Sequence, residues 1–173
     1  MATPKASNGA MPKSIWRQAS WLFILITDLL FILWGGMAAL APGYLVGPRG
    51  MPILPAGYEG YTGEQWSQLA SASPRTAEFA SILFRLYGSY NVAFGILAVA
   101  ITVTAFRRGE PWAWWALLIG NTIALGCAMT YDRFVNAVGP FEMLEYVGLI
   151  GIYAALFITA PMRGRSNHPG QTV

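Results

Sequence analysis

The chain has 173 residues, of which 55% are hydrophobic and only 11% are charged. Soluble domains carry roughly 25% charged residues, so this composition indicates a membrane protein and excludes an ordinary soluble domain. A net charge of +3 does not indicate nucleic-acid binding, and one cysteine with one histidine excludes an internal disulfide and a cysteine-based zinc cluster, so neither a cofactor nor a metal is expected.

Four apolar stretches are each about as long as the 20 or so residues that a membrane-crossing helix needs. In chain order they cover residues 20–40, 77–106, 112–130 and 140–161. The expected fold class is therefore an all-α, four-transmembrane-helix bundle over residues 19–162, and its partner is the lipid bilayer. The polar segments 1–18 and 163–173 are expected to be disordered tails.

The first span resembles a signal peptide in two respects. It follows a basic leader, and Ala39-Leu40-Ala41 is similar to a cleavage site. However, Pro42 would follow the cut, the apolar run is too long, and Asp28 interrupts it. The stretch is therefore interpreted as a retained helix.

Residues 42–73 form the longest connection between spans. Its first part, through Tyr61, is rich in Gly and Pro and is expected to be irregular. Thr62-Gly63-Glu64-Gln65 fits a capping box and predicts a short helix through about Ser71. Ser73-Pro74 then predicts the start of the second span, because serine is a favoured N-cap and proline a favoured first helical residue.

The distribution of basic residues predicts that both termini are cytoplasmic, and the plasma (inner) membrane is the expected location. The cytoplasmic side would hold Lys5, Lys13, Arg17, Arg107, Arg108, Arg163 and Arg165, and the outer side only Arg49, Arg75 and Arg133. The segment Arg107–Trp115 combines arginines, a proline and three tryptophans, which is typical of a tight turn at the inner interface.

Every span contributes a polar residue whose depth suggests a shared interior site. These residues are Asp28, Arg85, Asn121 and Glu145, and they form a hypothetical intramembrane polar cluster for binding. Arg85 with Glu145 is either a structural ion pair or part of a functional site. Asp28 either pairs with Arg85, stays protonated, or handles protons or cations, because an isolated charge in hydrocarbon is costly.

Small residues predict which helix faces pack against protein. On the second span one face carries Ser81, Arg85, Gly88, Val92 and Gly95. On the fourth span Glu145 adjoins Gly148 and Gly151, which again indicates close packing. Glu142 follows Pro140 in the first turn, where a carboxylate is favoured, and it is interpreted as a helix cap.

The run from Arg85-Leu-Tyr-Gly88 through Arg107-Arg-Gly-Glu-Pro-Trp-Ala-Trp-Trp115 resembles small four-helix bacterial membrane proteins of unknown function. Ser71-Ala-Ser-Pro74 is similar to their entry into the second helix, and the overall size and helix count are loosely DoxX-like. The resemblance covers about the middle third of the chain. It implies a four-helix bundle and no catalytic residue.

Three functions are compatible with these features. The first is a non-catalytic accessory or scaffold subunit, in a homo-oligomer or a larger membrane complex. The second is a membrane-embedded binder or enzyme for an apolar small molecule such as a lipid, sterol or quinone, using Arg85 with Glu145 or Asp28. The third is a small proton-coupled transporter that acts as a dimer, with Asp28 as its acidic site.

Overall fold

The computed structural model describes residues 13–136, 138–139 and 142–160, and within these ranges the protein is helical and forms no β-strand. The helices are α1 (Lys13–Leu40), α2 (Ile53–Thr62), α3 (Trp66–Ala72), α4 (Pro74–Ile101), α5 (Pro111–Phe134) and α6 (Glu142–Ile158). Short 3₁₀ turns cover Pro42–Tyr44 and Pro48–Gly50, and a π-helical turn, Thr102–Phe106, continues α4.

Among the described residues, three helical segments are long and apolar enough to cross a membrane: Ile15–Leu40, Pro74–Phe106 and Pro111–Phe134. The first begins within the predicted tail, because α1 already starts at Lys13. The third extends beyond the predicted end of its span, so that Asp132 is a helical residue. The rest of the predicted N-terminal tail (1–12), the whole predicted C-terminal tail (163–173) and the predicted start of the fourth span at Pro140 lie outside the described residues.

The connection between α1 and α4 is more ordered than its composition predicts. Ile53–Thr62 forms α2, although this segment was expected to be irregular because it contains Gly57, Gly60 and Pro55. A Cβ atom on Gly60 would collide with the carbonyl oxygen of Val135, just beyond α5. Close packing of α2 against the end of α5 thus outweighs the low helix propensity of its glycines.

The short helix predicted after Thr62 is present as α3, but the predicted capping box is wrong. Gly63 ends α2 in the left-handed conformation with φ 75°, and the Thr62 hydroxyl accepts a hydrogen bond from the Glu64 amide. α3 begins at Trp66, whose amide donates to the Glu59 carboxylate at 3.0 Å. The start signal for α4 is confirmed, with Pro74 as its first residue.

Each long helix has a preferred neighbour. α4 lies along α1, α1 also contacts α6, and α6 contacts α5. The π-helical turn touches both α1 and α5, and it leads into the turn at residues 107–110, where Gly109 adopts φ 81°. We call the end of the protein at residues 107–110 the turn end, and the opposite end, where α2 packs against the end of α5, the loop end.

Candidate functional site

Asp28, Thr102 and Asn121 form a buried cluster among α1, the π-helical turn and α5, which we call the interior cluster. All three side chains are 0% exposed. The Thr102 hydroxyl donates a 2.8 Å hydrogen bond to Oδ2 of Asp28, and the Asn121 side chain adjoins the same carboxyl group. Two of the four predicted site residues, Asp28 and Asn121, therefore do meet.

The π-helical turn is what places Thr102 in the interior cluster. Turns of this kind are rare and occur often at functional sites. The Trp21 indole N–H donates to the Thr102 carbonyl oxygen at 3.1 Å, so the backbone and the side chain of Thr102 both bind α1. The hydrophobic pattern carries no signal for a π turn, and Thr102 is therefore a site residue that cannot be found from the sequence.

Arg85 lies away from the interior cluster and caps α1. Its Nη1 donates to the carbonyl oxygens of Ala39 at 3.0 Å and Leu40 at 3.3 Å. The last carbonyls of a helix lack a partner within the helix, so Arg85 supplies donors that α1 needs. Arg85 forms an ion pair with neither Glu145 nor Asp28, because α4 packs along α1 and holds the guanidinium beside the last turn of α1.

Glu145 belongs to a second group of carboxyl side chains, which we call the loop-end cluster (Asp132, Glu142 and Glu145). The Asp132 and Glu145 carboxyl groups lie within hydrogen-bonding reach of each other. Oδ2 of Asp132 and Oε2 of Glu145 are buried without a donor. Glu142 Oε2 accepts a 2.8 Å hydrogen bond from the Gly139 amide, which confirms its predicted capping role.

The loop-end cluster is not a metal centre of the usual kind. In the part of the chain that the structure describes, no three His, Cys, Asp or Glu side chains are placed to hold a metal ion. Its neighbour Arg133 does not pair with it through Nε, which donates to the Tyr146 hydroxyl at 3.0 Å. The four residues predicted as one cluster thus separate into three groups: Asp28 with Asn121, Arg85 of α4 against the end of α1, and Glu145 with Asp132.

A groove of about 630 Å³ runs between α5 and α6 near the loop end. Its lining consists of Gly126, Met129, Thr130, Arg133, Phe134, Tyr146 and Leu149. Arg133 lies over the Tyr146 ring at 5.8 Å and is exposed, so it presents a positive charge beside an otherwise largely apolar surface. Arg85 is the cation predicted beside an apolar site, whereas the groove in the structure contains Arg133.

Over the residues that the structure describes, these features define an all-helical protein with three helices capable of crossing a membrane and a polar cluster buried within its helix packing. No protein-family model matches the chain, and neither the curated proteins nor the solved structures contain a match.

Proposed function

We propose that α1, α4, α5 and α6 all cross the plasma membrane, which makes the protein a multi-pass four-helix bundle with both termini cytoplasmic. α6 supports this topology because its 17 described residues are largely apolar, and Val147 and Ile150 are more than 60% exposed. Such side chains suit a lipid environment. The turn end carries Arg107 and Arg108, and arginines in a short loop favour the cytoplasmic side.

The topology can be tested by thiol labelling of intact cells. In a Cys127→Ser background, single cysteines are introduced by Gln18→Cys, Ser67→Cys and Ser166→Cys. A membrane-impermeant reagent should label only the Ser67→Cys protein in intact cells, and the other two after permeabilisation. Labelling of the Ser166→Cys protein in intact cells would show that α6 does not cross, and labelling of the Gln18→Cys protein would reverse the orientation.

Within this topology the protein acts as a non-catalytic accessory or scaffold subunit. The observation that carries this proposal is the separation of the polar residues within the spans. Ligand and catalytic sites need several polar groups that converge on one cavity. Here the Arg85 guanidinium group donates hydrogen bonds to carbonyl oxygens at the end of α1, and the Asn91 amide donates one to the Tyr87 carbonyl oxygen of its own helix. Arg85 therefore serves the packing of α4 against α1, and the Asn91 amide is satisfied within its own helix.

Native mass spectrometry of the protein, extracted in mild detergent from its own membranes, tests this function. The expected result is a stoichiometric protein partner or a homo-oligomer that carries no small molecule. The assembly should persist in Arg133→Gln, because Arg133 lies in the groove and has no role in the proposal. A monomer without any protein partner would contradict the accessory function.

The groove between α5 and α6 favours a second candidate function, the binding of an amphiphilic molecule. Arg133 would face an anionic or carbonyl group of the ligand, and the apolar lining would contact its hydrocarbon part. In the same mass spectra this function predicts a bound small molecule that is lost in Arg133→Gln and retained in Arg75→Gln. Arg75 is a matched control because it is an exposed arginine in the first turn of α4, away from the groove lining.

A further inference from the structure

The hydrogen bonds of the interior cluster leave two buried acceptors without a donor. Oδ2 of Asp28 accepts from Thr102, but Oδ1 of Asp28 has no partner. The Asn121 amide group donates to the Leu117 carbonyl oxygen at 3.0 Å, and Oδ1 of Asn121 also has no partner. Leaving a buried polar atom without a partner is costly, so a pair of unpaired acceptors in one cluster calls for a donor that the neighbouring side chains do not supply.

The electrostatic surroundings of Asp28 exclude a neutralising side chain within the described part of the protein. α4, α6 and the π-helical turn pack against α1, and α5 contributes Asn121 to the interior cluster. On α4, Arg85 caps α1. On the segment after the π-helical turn, Arg107 lies 5.1 Å from the centre of the Trp21 ring. The remaining groups on the described parts of α4, α5 and α6 are Arg75, Glu78, Tyr87, Tyr90, Cys127, Tyr131, Asp132, Arg133, Glu142, Glu145, Tyr146 and Tyr153, and none of them forms an ion pair or a hydrogen bond with the Asp28 carboxyl group.

We propose that Asp28, Thr102 and Asn121 form a proton-binding site, in which Oδ1 of Asp28 carries the proton and donates it in a hydrogen bond to Oδ1 of Asn121. Thr102 determines which carboxyl oxygen is protonated, because its hydroxyl already donates to Oδ2. One proton turns one of the two unpaired acceptors into a donor for the other. The same proton removes a negative charge that would be costly in hydrocarbon.

A proton fits this site better than a metal cation does. Hard cations such as Ca²⁺ and Mg²⁺ take about six or more oxygen ligands. The interior cluster offers only two free side-chain oxygens, and its third oxygen, on Thr102, is used as a donor. The proposal is independent of the accessory function, since it concerns what the site binds and not what the whole protein assembles with.

Infrared difference spectroscopy of the full chain in lipid nanodiscs, recorded while the pH is changed, tests the proposal. A protonated carboxyl group has a C=O stretching band separate from those of carboxylates and amides. The band should be lost in Asp28→Asn and should shift in Asn121→Leu, which removes the acceptor. Glu145→Gln is the matched control, because it removes a carboxyl group of the loop-end cluster and should leave the Asp28 band unchanged.

Two results would overturn the proposal. The first is a set of carboxylic acid bands in folded Asp28→Asn identical to those of the wild type. The second is the disappearance of the Asp28 band when Na⁺ replaces a large organic cation at constant pH, which would assign the site to a metal cation. If Asp28→Asn does not fold, Asn121→Leu decides: an unshifted band in that variant contradicts the hydrogen bond between Asp28 and Asn121.

Discussion

The interface between α1 and α4 and the interface between α5 and α6 both contain glycines, but only the first is tightly packed. A Cβ atom on Gly88 of α4 would lie 2.6 Å from the Ala39 nitrogen and 2.7 Å from the Gly35 carbonyl oxygen. Gly95 meets the backbone of α1 at 3.0 Å in the same way. In this interface glycine allows two helix backbones to come into direct contact.

The α5–α6 interface is held by side chains instead of by backbone contact. Gly126 of α5 and Gly148 of α6 have no atom within 4 Å of an added Cβ, and Gly126 lines the open groove. Hydrogen bonds join these two helices at three levels: Trp114 to the Leu156 carbonyl oxygen at 2.7 Å, Thr122 to Tyr153 at 3.0 Å, and Arg133 to Tyr146 at 3.0 Å. A stripe of small residues therefore indicates close packing only where a second helix lies along that stripe.

The largest effect is expected from Gly88→Ala, which tests the close contact of α1 with α4. The added methyl group meets backbone atoms of α1, which cannot rotate away. Overpacking of this kind costs about 1–3 kcal/mol, so the midpoint of thermal unfolding in detergent should fall clearly.

Gly126→Ala is the matched control for Gly88→Ala, since both place an alanine in the middle of a long helix. With nothing within 4 Å, this change should be neutral, or stabilising by up to about 1 kcal/mol from helix propensity. Equal unfolding midpoints for the two variants would show that the α1–α4 contact is no closer than the α5–α6 contact.

A smaller loss is expected from Trp114→Phe, which tests the side-chain connections of α5 to α6. The substitution keeps an aromatic ring but removes the indole N–H that donates to the Leu156 carbonyl oxygen. A hydrogen bond contributes about 1 kcal/mol, and the loss should be at or below this figure because the Thr159 amide also donates to that carbonyl.

Trp115→Phe serves as the control for Trp114→Phe in denaturant unfolding of the same detergent complex. Trp115 is 48% exposed and contacts the Trp114 ring edge-on, an arrangement that phenylalanine can retain. If Trp115→Phe destabilises the protein more than Trp114→Phe does, the hydrogen bond to α6 is not what holds this end of the interface.

The tight interface could be predicted from the sequence to a considerable extent. The spacing of Gly88 and Gly95 places them on one face of α4, and that face does pack against α1. The same reasoning is wrong for Gly148, because residue spacing defines a face of a helix but not the helix that will cover it. Of the two α6 glycines predicted to be closely packed, only Gly151 is, because a Cβ atom added there would collide with the Phe23 ring of α1.

The predicted site was only partly accessible from the sequence for a related reason. The rise per residue gives the depth of each polar group, and depth correctly brought Asp28 and Asn121 together. Depth carries no information on rotation about the bundle, so it could not show that Arg85 turns toward the last carbonyls of α1. The partner Thr102 depends on a π turn, which has no pattern in the sequence.

The smallest effect is expected at the turn end. There a charged contact outside the spans lies in the turn that joins α4, of the first interface, to α5, of the second. Arg108 donates to the Glu110 carboxylate from Nε at 2.8 Å, and the Trp112 indole also donates to it. These contacts, chiefly the hydrogen bond from Arg108, hold the pKa of Glu110 below its ordinary value of 4.5.

Because the pKa of Glu110 is lower in the folded state than in the unfolded state, its contribution to stability is present above about pH 4.5 and is lost as the pH falls through the lowered value. The Glu110 side chain is about one third exposed (34%) and its partner Arg108 is exposed, so water and salt screen the contact and the expected change is small. Amide hydrogen exchange in residues 107–112 should therefore accelerate in acid more than the intrinsic chemistry requires, and Glu110→Gln should abolish this excess.

Glu78→Gln, which changes an exposed residue of α4, is the control and should leave the excess exchange in acid intact. An acid response that survives in Glu110→Gln would mean that another group opens the turn, and that the contact between Arg108 and Glu110 does not connect the α1–α4 pair to the α5–α6 pair.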